Sequence, residues 1–128
     1  MPLKALLSIA AVYMALVGLG LVFLPQAFGR GAVPPDASPA LIAYLRLWGS
    51  PLLGIALLDW MARDVDSSRA RDAIVLGNMV GFAAIALLDL WGLASGAREL
   101  TKIFVVVHLL FAAAFFWAAM RSRVVRVR

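Results

Sequence analysis

The stretch AIVLGNMVGFAAIALLDLWGLA, residues 73–94, decides the fold of this chain. It holds a single ionisable side chain, Asp89. A helix needs ~20 such residues to cross ~30 Å of hydrocarbon, and this run has that length. Three further apolar runs, at 5–24, 40–61 and 103–120, repeat the pattern. Together they fill most of the 128 residues, 64% of which are hydrophobic, with a mean hydropathy of +0.95. These values exclude an ordinary water-soluble domain. The expectation is an all-α fold: an integral membrane four-helix antiparallel bundle, one domain over 1–128. The spans fall at about 4–24, 40–62, 70–94 and 99–120, each near the ~20 residues required.

Little chain remains outside the spans. No separate catalytic domain fits, and the absence of cysteine removes disulfides, thiolate metal sites and thiol nucleophiles. One histidine and scattered carboxylates give no dedicated metal site, and no cofactor is expected. The net charge of +5 reads as a topology signal and an attraction to anionic lipid rather than to nucleic acid. The first run, with Lys4 ahead and Ala27-Phe28-Gly29 behind, has features of a signal peptide. Its apolar core is longer than the usual 7–15 residues of such peptides, so a retained span is expected.

Breakers and caps mark the connections. Residues 25–39 contain four of the six prolines together with Gly29 and Gly31, and read as a loop. Ser38-Pro39 reads as an N-cap and first helical residue of span 2. Asp66, Ser67 or Ser68 can cap span 3. Ser95-Gly96 closes span 3 and can cap span 4, with Glu99 near that helix's positive end. Short connections make successive helices antiparallel neighbours. With the N-terminus inside, one side collects Lys4, Arg63, Arg69, Arg71, Arg121, Arg123, Arg126 and Arg128. The other keeps Arg30, Arg98 and Lys102. That bias predicts cytoplasmic termini. Leu57-Leu58-Asp59 and Leu87-Leu88-Asp89 echo each other but are too short to establish a repeat.

The polar residues inside the spans are the candidate site. At ~1.5 Å per residue, Arg46 lies ~9 Å below the outer end of span 2, Asp89 ~9 Å below that of span 3, and His108 ~10 Å below that of span 4. Three ionisable groups on three helices share one level of the outer leaflet. A lone charge at membrane depth costs at least ~2.5–3.5 kcal/mol, so a contact between Arg46 and Asp89, with His108 close by, is expected. Such a contact serves equally as a structural lock or as a ligand or proton site. Asn78 lies on the Asp89 stripe of span 3, ~20° away around the helix. Gly77/Gly81 and Gly92/Gly96 form GxxxG pairs suited to close helix contact. Pro51 removes a donor to the Leu47 carbonyl, a kink or break near Arg46. Asp59, near the inner end, reads as a peripheral partner of Arg63 or Arg71. Tyr44, Trp48, Trp91 and Phe104 read as an outer aromatic belt, and Trp60 and Trp117 as an inner one.

Phe23-Leu24-Pro25, Leu45-Arg46-Leu47-Trp48-Gly49, Leu76-Gly77-Asn78 and the basic end after span 4 resemble small bacterial four-span membrane proteins, broadly DoxX-like. The resemblance covers the whole chain. It implies the four-span fold and a bacterial inner (cytoplasmic) membrane, and no particular activity, since that group has no uniform one. Small multidrug transporters share the size and span count but depend on a glutamate in the first span. Here the only polar groups of span 1 are Ser8 and Tyr13. The functional expectation is a non-enzymatic accessory or small-ligand- or lipid-binding bundle. Its site would be Arg46, Asp89, His108, Asn78 and Tyr44, and its partners membrane lipid and a membrane protein or second copy, with no nucleic acid. The alternative is a small proton-coupled transporter.

Overall fold

The computed structural model describes residues 2–96 and 101–126. Every regular element among them is helical: α1 (Leu3–Phe23), α2 (Pro25–Phe28), α3 (Pro39–Ala62), α4 (Arg69–Ala94) and α5 (Thr101–Arg126). All but α2 are long and apolar enough to span a membrane. The first three of these match the expected spans to within a residue, and α5 runs six residues past the expected end at 120. The expected start of span 4 at 99, and the roles of Arg98, Glu99 and Arg128, lie outside the described residues. Large apolar side chains cover the outside: Trp91 is 71% exposed, Leu87 67% and Leu47 67%. In water such surfaces would associate; in lipid they face their own kind. The protein is a multi-pass, all-α membrane protein.

The chain divides into two compact units, residues 7–63 and residues 1–6 with 64–128. In the first, α1 and α3 pack antiparallel through glycine. A Cβ built on Gly49 would lie 2.7 Å from the Gly18 carbonyl oxygen, and one on Gly18 2.8 Å from Leu53 Cδ2. Side-chain-free positions let two backbones approach this closely. The expected GxxxG pair Gly77/Gly81 does not play that role. A Cβ at either position meets nothing within 4 Å. Spacing alone identifies glycines without identifying a facing backbone, and here the facing pair comes from two helices rather than one.

Ser38 has extended backbone, and its hydroxyl accepts from the Leu41 amide at 3.2 Å, with Pro39 opening α3. Two free amide problems are thereby handled, one by the side chain and one by proline's missing N–H. α3 runs unbroken through Pro51, and Ser50 Oγ donates to the Arg46 carbonyl at 3.4 Å. The predicted loop between α1 and α3 contains the single turn α2, which Pro25 opens. Gln26 Nε2 donates to the Pro35 carbonyl at 3.3 Å, tying the loop across itself.

In the second unit α4 and α5 form an antiparallel pair along a heptad seam. Phe82 and Asp89 on α4 face Phe115 and His108 on α5; as the α4 number falls from 89 to 82, the α5 partner rises from 108 to 115. Thr101, Val105, His108 and Phe115 are buried at the alternating three- and four-residue spacing of such a seam. Of the three proposed caps for α4, Ser68 serves, accepting from the Arg71 amide at 3.2 Å. Asp72 sits in the positive first turn. Gly96, at φ +80, turns the chain after Ser95 in a conformation that side chains with a Cβ resist. Lys4 Nζ and Asp64 Oδ1 meet at 2.6 Å, both exposed, a contact worth little to stability.

Candidate functional site

The seam places His108 Nδ1 2.6 Å from Asp89 Oδ2. With the carboxylate ionised Nδ1 is the donor, and with it protonated Nδ1 accepts; the tautomer sets the direction. The distance is short for a nitrogen–oxygen hydrogen bond and belongs with charge-assisted contacts. The side chains are 9% exposed for His108 and 22% for Asp89. His108 lies ~10 Å into α5 and Asp89 ~8 Å from the end of α4, so the pair sits below the headgroups.

An aromatic wall surrounds the imidazole. The Phe104 ring stacks at 5.9 Å and 21°, and Phe82 lies at 6.0 Å and 36°. Phe82 stacks in turn on Phe111 at 4.4 Å and 13°, and on Phe115 at 5.8 Å. Phe104, His108, Phe111 and Phe115 follow one another on a single face of α5, so helical periodicity alone sets the column. Phe82, Phe111 and Phe115 were not among the expected site residues. Their spacing from His108 was a usable signal; phenylalanine in an apolar run carried no chemical flag.

Arg46 is exposed on α3, in the other unit from Asp89 and His108. Tyr44 is 55% exposed and meets Trp48 edge to face at 5.9 Å, an aromatic-belt arrangement. Asn78 is buried, but its amide donates to the Ile74 carbonyl of its own helix at 3.1 Å. It stands ~16 Å along α4 from Asp89, on the same stripe but at a different depth.

Asp59 corrects the sequence reading. It was expected at the periphery, and it is fully buried, at 0% exposure. A carboxylate tolerates such a position only with its bonding satisfied. Asp59→Ala is therefore expected to lower stability in detergent by about 1–3 kcal/mol, where an exposed pair would contribute ~0–1. Denaturant titration followed by circular dichroism checks this; a loss within the exposed-pair range would restore the peripheral reading. Arg63, one turn on, donates from Nη1 to the Trp60 carbonyl at 2.8 Å and stacks its guanidinium 3.4 Å over the Trp60 ring.

Among the described residues, no group of three or more His, Cys, Asp or Glu side chains is arranged to hold a metal ion. The site can hold or exchange a proton between Asp89 and His108, and it can join α4 to α5. No protein-family model, curated protein or solved structure matches the chain at a significant level. Fold and site define a multi-pass membrane protein with a carboxylate–imidazole pair inside its α4–α5 hairpin.

Proposed function

We propose that this is a non-enzymatic accessory or small-ligand- or lipid-binding protein of the bacterial inner membrane, with both termini cytoplasmic. The observation that supports it is the Asp89–His108 pair, a short polar contact walled by Phe82 and Phe104. Ionisable residues inside a membrane mark sites by default. The pair fixes two helices and leaves one polar spot at membrane depth. The excess of basic residues on one side supports the orientation. The DoxX-like resemblance accords with the bacterial inner membrane.

A small proton-coupled transporter is the second reading, because a carboxylate and an imidazole in contact are groups able to pass a proton. The continuity of α3 through Pro51 favours the first, since a carrier of this design would flex there. Reconstitution into liposomes with an internal pH dye separates them. The binding protein leaves an imposed pH gradient intact, as does its Asp89→Asn variant. Gradient-driven flux that Asp89→Asn abolishes would establish the carrier instead.

A further inference from the structure

A second feature lies in the α1–α3 unit, along the C-terminal half of α3. Ala11, Val12 and Ala15 of α1 and Leu53, Ala56, Leu57 and Trp60 of α3 line an open trough of about 320 Å³. Alanines produce it. The helices touch at Gly18 and Gly49, and further along the small side chains do not fill the space between them. The lining side chains are hydrocarbon apart from the Trp60 indole N–H. The trough lies wholly within two membrane spans, where acyl chain is the surrounding solvent.

Its Trp60 end carries a cation. Arg63 follows the last residue of α3, and its guanidinium lies 3.4 Å over the Trp60 ring. The stack holds a planar, permanently charged fork where the span meets the headgroups, and such a fork matches phosphate. The C-terminus of α3 carries partial negative charge and Arg63 Nη1 donates to the Trp60 carbonyl at 2.8 Å, so an anion there draws on the other N–H groups of the guanidinium.

We infer that the α1–α3 trough holds one acyl chain of an anionic phospholipid whose phosphate meets Arg63. The lipid belongs to the leaflet reached by the C-terminal end of α3. Apolar walls select a tail, the arginine selects an anionic headgroup, and the tryptophan joins the two. The inference rests on membrane insertion and not on the Asp89–His108 pair.

Native mass spectrometry of the full chain tests it, after exchange into detergent micelles holding equal phosphatidylglycerol and phosphatidylethanolamine. The parent is expected to retain one phosphatidylglycerol in preference. Arg63→Gln should lower that preference about tenfold, the worth of one charge-assisted contact. Ala56→Leu, which fills the trough, should release both lipids. Arg121 lies 5.3 Å from the Trp117 ring and provides a matched control; Arg121→Gln should keep the preference. Glycerol 3-phosphate, a headgroup without tails, should not compete.

Equal retention of the two lipids by the parent would overturn the inference, whatever the variants do. So would equal losses in Arg63→Gln and Arg121→Gln, which would mean general surface charge. Competition by glycerol 3-phosphate would leave a phosphate site without a tail site. Retention of a second copy in place of lipid would make the trough a homodimer face. If Ala56→Leu loses its helicity, the parent and Arg63→Gln decide. His108→Ala should keep the lipid, so the trough and the proposed outer site fail separately.

Discussion

His108→Ala is expected to lower stability in detergent by about 3–5 kcal/mol, the loss seen when one partner of a buried charged pair is removed. The magnitude depends on the kind of contact. Ordinary polar contacts between membrane helices average only ~0.6 kcal/mol, because separated helices find other partners. The 2.6 Å contact of His108 with Asp89 joins an acid to a base and belongs to the stronger class. Removing the imidazole also takes away the stacks with Phe104 and Phe82. The carboxylate then remains at membrane depth without its base. Asp89→Leu should cost less, about 1–3 kcal/mol, because a histidine left behind can stay neutral. Replacing both, Asp89→Leu with His108→Phe, should return stability to within about 1 kcal/mol of the parent, as apolar replacements of buried pairs often do. Unfolding in mixed micelles, followed by near-ultraviolet circular dichroism, measures all three. A His108→Ala variant within about 1 kcal/mol of the parent would remove the pair from the energetics of the fold. A stable double variant that has lost ligand or lipid binding would assign the pair to function.

The spans were legible because lipid imposes a length, and residues 73–94 and their counterparts meet it. The caps at Ser38 and Ser68 and the turn at Ser95-Gly96 were legible because each solves a local bonding problem. What faces what was not. A helix in lipid is apolar all round, so hydrophobic periodicity no longer separates the packed face from the exposed one. Asp59 shows the consequence: its nearness to basic residues suggested the periphery, and its side chain is buried. The glycines show it again, since Gly18 and Gly49 make the close contact while Gly77 and Gly81 open onto space. Asp89 and His108 were placed at one depth by counting residues, and they do meet. Depth follows from helical rise alone.

Phe82→Ala is expected to give the largest loss among the purely apolar positions of the α4–α5 hairpin. Phe82 is fully buried and stacks on two rings of α5, Phe111 and Phe115. In a soluble core such a truncation costs about 3–5 kcal/mol, of which part is transfer of the ring from water. Here lipid tails replace water around separated helices, so that part largely vanishes. The cavity and the lost ring contacts remain, because neighbours held by their own helices close the gap only partly. The expected loss is therefore about 2–3 kcal/mol, near or below the low end of the soluble range. Leu87→Ala, at a position 67% exposed, should stay within about 0.5 kcal/mol. Unfolding of the two variants side by side in the same micelle measures the difference. The position of Phe82 on the seam adds a second readout. It touches the His108 ring, so its removal should also loosen the Asp89–His108 contact and shift the His108 ring signals in nuclear magnetic resonance spectra. Equal, small losses for Phe82→Ala and Leu87→Ala would mean that the aromatic column does not hold α4 to α5. The Asp89–His108 contact would then have to hold the hairpin without it.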